Sequence, residues 1–450
     1  ARANPVLPQV LGAASFAGAE LPFEWTDLSP RLGLTWALGE ERTTLLRATY
    51  SQFADQLGSG GAAPLSPLYN FGYFYFYTDG GGRATGSLTP ANFIDVDGDG
   101  RITANDAIFR SPVINQDGSP ISGAPITEWA EGFSAPQTQE LLLGVEHAFR
   151  PEFVVGANLT YRRLHDLAST EPFVLENGIE RLHRREDYVA IPYQATLPDG
   201  TAVSGSRFVM RPEVSPSGRG FVHNNGFEQE YLGGALSFTK RLANRWMARG
   251  NVSFNDFTWS KVPEGERENL TQGVVVGGGV GAVREGDPVI DNVAGSGKTG
   301  GRYVNAEWSY SLNGLYQVAP DRIWGFNVAA SLAGRQGYPT PYFGTFNLPV
   351  HQGGTQSVLL TGVGDRYRLD DVHTVDLRVE KEFSIRNFGV TVGVDLFNAL
   401  NEGTVLFRNP NISAISTVSG RSSNAATTGD FVQEVLSPRI FRLGVRLSLR

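Results

Sequence analysis

The chain contains no cysteine, which removes disulfide staples, thiolate metal ligands and thiol nucleophiles together. Methionine is scarce as well, with 2 residues in 450. No apolar run approaches the ~18–20 residues that a membrane-crossing helix needs. The opening ARANPVLPQV has no apolar stretch of the kind an export signal carries. An exported protein should have one, so a mature piece or an internal fragment is expected. Positive charge is also short: 38 Lys and Arg stand against 46 Asp and Glu, a formal charge of −8, which argues against a nucleic-acid partner. His147, His165, His183, His223, His351 and His373 are scattered, without metal-ligand spacing or a nearby nucleophile pattern. No enzyme reading gains support.

What the chain has in quantity is 54 Gly, 27 Phe, 15 Tyr and 7 Trp, a mix that favours an all-β protein rich in turns. The alternation is clearest in 371–400. Val375, Leu377 and Val379 interleave with Asp376, Arg378 and Glu380; beyond Ser384–Asn387, Val390, Val392, Val394 and Leu396 interleave with Thr391, Gly393 and Asp395. Period two places one set of side chains on each face of a strand. A soluble sandwich would bury the apolar face, whereas a membrane barrel turns it outward to lipid and the polar face inward to water.

Loop lengths choose between these solvents. Strand pairs are expected at 28–38 with 43–53, 137–149 with 153–165, 228–241 with 245–258, 304–317 with 322–336, and across 371–400, with a last strand at 435–450. The turns within pairs are short, while the connections 54–133, 166–227, 259–303, 337–370 and 401–433 are long. A sandwich gives no reason for such sorting; an outer-membrane barrel, with short periplasmic turns and long extracellular loops, does. The expected fold is therefore an antiparallel transmembrane β-barrel wall of about 11 spanning strands in one partial-barrel domain, 1–450. Arg442, Arg446 and Arg450 then face the lumen, and Lys381 faces outward near a turn, where it can snorkel.

Leu28-Ser29-Pro30-Arg31-Leu32-Gly33-Leu34, Glu140–Glu146, Leu236–Arg241, Arg335–Pro339, Asp395–Asn401 and Leu436–Gly444 together resemble, in order, strands of TonB-dependent outer-membrane receptors of the Oar-like kind. The resemblance covers about 28–450. It implies a 22-stranded barrel, of which this chain would be the C-terminal half, a preceding plug domain absent from this chain, and energy delivered by TonB. One departure is the ending Leu449-Arg450, where the family usually ends in an aromatic residue.

Within the loop 54–133, Asp95-Val96-Asp97-Gly98-Asp99-Gly100-Arg101-Ile102-Thr103-Ala104-Asn105-Asp106 fits a twelve-residue calcium loop and resembles dockerin loops. Asp95, Asp97, Asp99 and Asp106 supply carboxylates, Arg101 a backbone carbonyl, and Thr103 the ninth position; a structural Ca2+ is expected, with a solvated Asp/Gly turn as the bland alternative. The run Tyr69–Tyr77 offers Tyr73, Tyr75 and Tyr77 as candidate substrate-facing aromatics, or as packing in an external hairpin. Gly295–Thr299 imitates a phosphate loop, but Asn292 replaces its first glycine and no strand leads into a helix. Gly277–Ala282 lacks the βαβ setting of a dinucleotide fingerprint.

The expected function is uptake of an unidentified bulky substrate across the outer membrane, with lipid and the TonB system as partners. The alternative is a secreted or surface, calcium-stabilised β-rich adhesin or glycan-binding protein.

Overall fold

Period-two alternation is realised as one antiparallel ladder. The computed structural model describes residues 20–56, 73–74, 95, 98–101, 109–110, 127–264, 270, 274–275, 279–280, 283–293, 302–348, 355–385, 388–412, 417–418, 421–422 and 430–449. Eleven strands hydrogen-bond in simple sequence order. They are β1 (Arg31–Leu38), β2 (Thr44–Ala54), β3 (Gln137–Arg150), β4 (Phe153–His165), β5 (Glu228–Ala243) and β6 (Trp246–Lys261), followed by β7 (Trp308–Val318), β8 (Phe326–Arg335), β9 (Val372–Ile385), β10 (Phe388–Phe397) and β11 (Ile440–Leu449). β1 and β11 are the two edges of the sheet.

Register decides which side chains share a face. Leu34 pairs with Ala48, Ala48 with Leu143, Leu143 with Leu159, Leu159 with Gly234, Gly234 with Phe254 and Phe254 with Trp308. This row starts in the middle of β1 and leaves the sheet at the first residue of β7. The strands are thus strongly staggered, as they are in a sheet that curls towards closure.

All residues of that row lie on one apolar face. It continues through Leu312, Leu332, Val375, Leu377, Val379, Val394 and Leu443. The face is bare: Leu34 is 66% exposed, Leu236 58%, Phe254 61% and Leu447 72%. Aromatic residues collect at its two borders, with Trp246, Tyr316, Phe326 and Phe383 at the turn side and Tyr161, Phe254, Trp308 and Tyr310 at the loop side.

Lys240 and Lys381 also belong to this face, and both sit at the turn border. Lys240 Nζ donates to the carbonyls of Arg241 and Ala243 over the Trp246 ring, and Lys381 Nζ donates to those of Ile323 and Gly325. The ammonium groups are held by turn carbonyls instead of standing on the apolar band, as expected for Lys381.

The hydrophobic core lies elsewhere. Among the described residues Trp259, at the loop-side end of β6, is the one buried hydrophobic residue within the eleven-stranded sheet. The others are in the long connections, which carry a four-stranded sheet (127–129, 214–224, 168–176 and 179–182) and a hairpin (Tyr188–Thr196 with Ala202–Met210). Asp199-Gly200 is a turn dipeptide, and the turn Leu197–Thr201 closes that hairpin, with Gly200 at φ 86°.

Several boundaries differ from expectation. β11 begins at Ile440, not 435, because Pro438 has no N–H for the ladder; 432–435 pairs with 405–408 instead. β7 begins at Trp308, since 302–304 pairs with 291–293. The β7–β8 connection is longer than a tight turn, two successive turns bonded Arg322 N to Ala319 O and Gly325 N to Arg322 O. The β5–β6 turn is tighter, with Asn244 at φ 53° and Arg245 at φ 72° as its only intervening residues. Both central residues at positive φ match the twist of the flanking strands. Asn244→Val places a β-branched residue there, and should cost about 1–2 kcal/mol, read as a lower urea midpoint for refolded protein in detergent.

Candidate functional site

The polar face is the wall on which a solute could act. On β2 and β3, Arg47 Nη1 lies 2.6 Å from Glu146 Oε1, and across β3 and β4 Arg162 pairs with Glu140. In the middle of the sheet the contacts are between hydroxyls and amides: Ser311 to Asn251 at 2.5 Å, Ser253 with Ser309 at 2.8 Å, and Ser331 to Asn313 at 2.9 Å. On β9 to β11 the charges chain together. Arg378 donates to Glu380 Oε2 at 2.8 Å and to Asp395 Oδ1 at 2.8 Å, while Arg442 holds Asp395 Oδ2 at 2.9 Å. An exposed pair such as Arg47–Glu146 contributes about 0.2–1 kcal/mol, whereas Asp395 is buried, at 6% exposure, between its two arginines.

Arg249, Asn313, Ser331, Asp376, Arg378 and Asp395 line a recess of about 500 Å3 on this face, floored by Ala329 and Ala330. Of Asp376, Arg378 and Glu380, read from alternation alone as one face of β9, the first two line the recess and Glu380 accepts from Arg378 beside it; Asp376 also accepts from Asn398 N at 2.9 Å. Arg442 and Arg446 stand on the same face of β11, paired with Asp395 and Thr391.

Above the loop-side end, the long connections are bound to one another. The hairpin 188–210 belongs to the connection after β4, yet its tip packs on the connections after β8 and β10. Leu197, Tyr342 and Leu360 form a buried cluster with Tyr193, Phe346, Tyr367 and Ile412 around it. Tyr367 donates to Asp199 at 2.8 Å, Gln356 Nε2 to Phe208 O at 2.7 Å, and Arg207 lies over the Phe346 ring. Tyr342 donates to Asp430 at 2.7 Å, and Arg408 closes on the same carboxylate at 3.1 Å. A strap therefore runs from β4 to beyond β8. Alternation could not show it, because its contacts join segments far apart in sequence.

The root of the strap is polar and buried. Asp187, 1% exposed, accepts both terminal nitrogens of Arg181, at 2.6 and 2.7 Å. Those hydrogen bonds hold its carboxyl below the usual value, against the opposing effect of burial. Burial pushes the Tyr188 phenol upward and the His183 imidazole below its ordinary 6.5. The Glu171 and Asp187 carboxylates oppose the shift of His183.

Of the calcium loop, Asp95, Gly98, Asp99, Gly100 and Arg101 are described. The Asp95 carboxylate accepts Gly98 N at 2.6 Å and Gly100 N at 2.7 Å, Asp99 accepts Arg101 N at 2.7 Å, and both glycines sit at φ 76°. Asp97, Thr103 and Asp106 lie outside the described residues. Among the described residues no group of three His, Cys, Asp or Glu is gathered as a metal site. Tyr73 falls in the short pairing of Tyr73–Phe74 with Phe109–Arg110, while Tyr75, Tyr77 and Gly295–Thr299 lie outside the described residues.

No protein-family model and no curated protein matches the chain. Among solved structures it is similar to the outer membrane transporter YddB from Escherichia coli, at 14% identity and a TM-score of 0.44, over 93% of this chain and 40% of that one. It is also similar to BauA, the ferric preacinetobactin receptor from Acinetobacter baumannii, at 10% identity and a TM-score of 0.39, over 93% and 36%. The FrpB iron transporter from Neisseria meningitidis, F3-3 variant, gives 11% identity and a TM-score of 0.39, over 93% and 38%. The chain spans about two fifths of the length of these structures.

The depressed His183 fixes the sign of a pH effect. Unfolded, the imidazole takes its proton near pH 6.5; folded, it resists until lower pH. Stability at the strap's root is full above that value and falls as acid titrates the unfolded ring first. Hydrogen-exchange protection of 168–176 and 214–224 should drop on going from about pH 7 to about pH 5, by at most about 1.4 kcal/mol for each unit that the two values differ. His183→Gln should flatten that dependence.

Proposed function

We propose that the sheet is the wall of an outer-membrane β-barrel, its apolar face on lipid and its polar face on a wet lumen, serving uptake of a bulky substrate captured by the loops. The observation that carries this reading is the bare apolar face of an eleven-stranded sheet whose buried hydrophobic residues, Trp259 apart, are in its connections. Soluble proteins rarely expose contiguous apolar patches beyond a few hundred Å2. Each Leu or Val left in water forgoes about 1.5–3 kcal/mol of burial, and more than a dozen such residues stand on this face. A secreted adhesin would carry that cost; a lipid-facing wall does not. Five short turns at one end and five long connections at the other support an orientation with turns to the periplasm and loops outside.

Lipid does not tolerate free strand edges, so β1 and β11 require further strands beside them. The proposal therefore includes a larger barrel, of which this sheet is one part. The TonB-dependent resemblance adds a plug domain and TonB as the source of energy. Tyr73, Tyr75 and Tyr77 are assigned to substrate capture, and the chemistry of the wall is binding and passage rather than catalysis.

The calcium loop belongs to the same proposal. Asp95, Asp97, Asp99 and Asp106, the Arg101 carbonyl and Thr103 would enclose a Ca2+ that orders the connection after β2. The Asp95 contacts to Gly98 N and Gly100 N support this, because they curl the backbone around that carboxylate. Titration calorimetry should give an affinity of about 10⁻⁴–10⁻³ M that Asp95→Ala removes; equal heats from both proteins would sink the calcium reading.

The wall itself is tested by paired substitutions. Leu143→Arg, at mid-strand on the apolar face, should cost about 2–4 kcal/mol, and Thr160→Arg on the polar face about 0.5 kcal/mol or less. Heat-modifiable migration in detergent gels of the full-length protein reads folding. Equal tolerance of the two changes would refute the lipid-facing assignment.

A further inference from the structure

We infer that Trp308, Tyr310 and His373 form a seat for the sugar rings of a glycolipid in the outer leaflet. The inference rests on the barrel reading, which places the loop-side border of the apolar face at the outer headgroup region. Trp308 opens β7, Tyr310 pairs with Gly334 near the end of β8, and Gly334 pairs with His373 at the start of β9. Leu312, Leu332 and Val375 follow on the same face towards the turns.

The three rings lie side by side. Trp308 and Tyr310 are 6.2 Å apart at 6°, Trp308 and His373 6.0 Å at 23°, and Tyr310 and His373 6.0 Å at 28°. Three near-parallel rings at equal mutual distances cannot form a column, in which the outer two would be twice as far apart. Gly334 explains how they come to rest flat. A Cβ there would fall 2.5 Å from Tyr310 Cε1 and 2.8 Å from His373 Nδ1, so both rings lie against bare backbone. Phe254, 61% exposed, pairs with Trp308 and extends the apolar surface beside them.

An interfacial tyrosine ordinarily turns its hydroxyl to the headgroups. Here the Tyr310 hydroxyl is bonded to His373 Nδ1 at 3.0 Å, so it is taken up inside the cluster rather than turned to the headgroups. A flat aromatic surface complements the C–H face of a pyranose ring. A quaternary ammonium is better served by rings that surround it, as in aromatic cages, and this patch does not wrap. One step towards the loops on the same face, the exposed carboxylate of Asp256 can accept from sugar hydroxyls and disfavours a phosphate in that position.

The test uses the full-length protein extracted from its own outer membrane in mild detergent, with co-purifying lipid measured by mass spectrometry. Tyr310→Leu and Gly334→Val should lower sugar-bearing lipid per protein by about 3–10-fold, the equivalent of about 0.5–1.5 kcal/mol of ring contact. Tyr310→Phe, which keeps the ring, and Trp324→Leu at the turn side should retain it. If Gly334→Val does not fold by heat-modifiable migration, Tyr310→Leu decides alone. Unchanged glycolipid in Tyr310→Leu, an equal loss in Trp324→Leu, or phospholipid alone on the unmodified protein would each overturn the seat. The barrel reading fails separately, if brominated phospholipids leave the tryptophan fluorescence of the reconstituted protein unquenched.

Discussion

One register holds this structure together. Side chains in a strand alternate with period two, so a slip of a single residue between neighbours would turn an entire apolar set onto the polar face. The row from Leu34 through Ala48, Leu143 and Leu159 stays on one side across four strands, and beyond it Leu312, Leu332 and Val375 do the same. On the other side the same register brings Arg47 to Glu146, Arg378 to Asp395 and Asp395 to Arg442. Apolar continuity and polar pairing are two results of one alignment. Losing it would put Arg378 among leucines.

The usual arrangement of a soluble fold is inverted. Its hydrophobic core is in the connections and at the strand ends beside them, where Trp259 at the end of β6 packs with Phe227, Leu167, Val262, Val283 and Val289, and where Leu197 meets Tyr342 and Leu360. These clusters give the long connections defined shapes without support from the sheet's exposed face. Lys240 and Lys381 show the same logic at the other end, since each places its ammonium on turn carbonyls rather than on the apolar band. The solvent on each surface can thus be read from which groups have found partners and which have not.

Particular residues show where the sequence was legible. Val375, Leu377 and Val379 against Asp376, Arg378 and Glu380 announced a two-faced strand, and the short spacing between strands such as 228–241 and 245–258 announced their turns. Both signals are local, written within a few residues. The start of β11 was misplaced because Val435 is as apolar as the strand itself, and only its pairing with Val405 reveals that it belongs to another ladder. The bonds between Tyr367 and Asp199, or between Arg181 and Asp187, have no local signature, since each needs a backbone path that the intervening residues do not encode as a pattern.

The sequence by itself determined strand content, the facing of each strand and the sorting of connections into short and long, because period-two alternation and turn chemistry act over a few neighbouring residues. Only the tertiary structure decided what the connections build and which side chains meet across them. The strap from β4 to the loops beyond β8, the buried Asp187 at its root and the flat rings over Gly334 all depend on contacts between residues distant in the chain. Such contacts are fixed by the stagger of the whole sheet, which no single stretch of sequence contains.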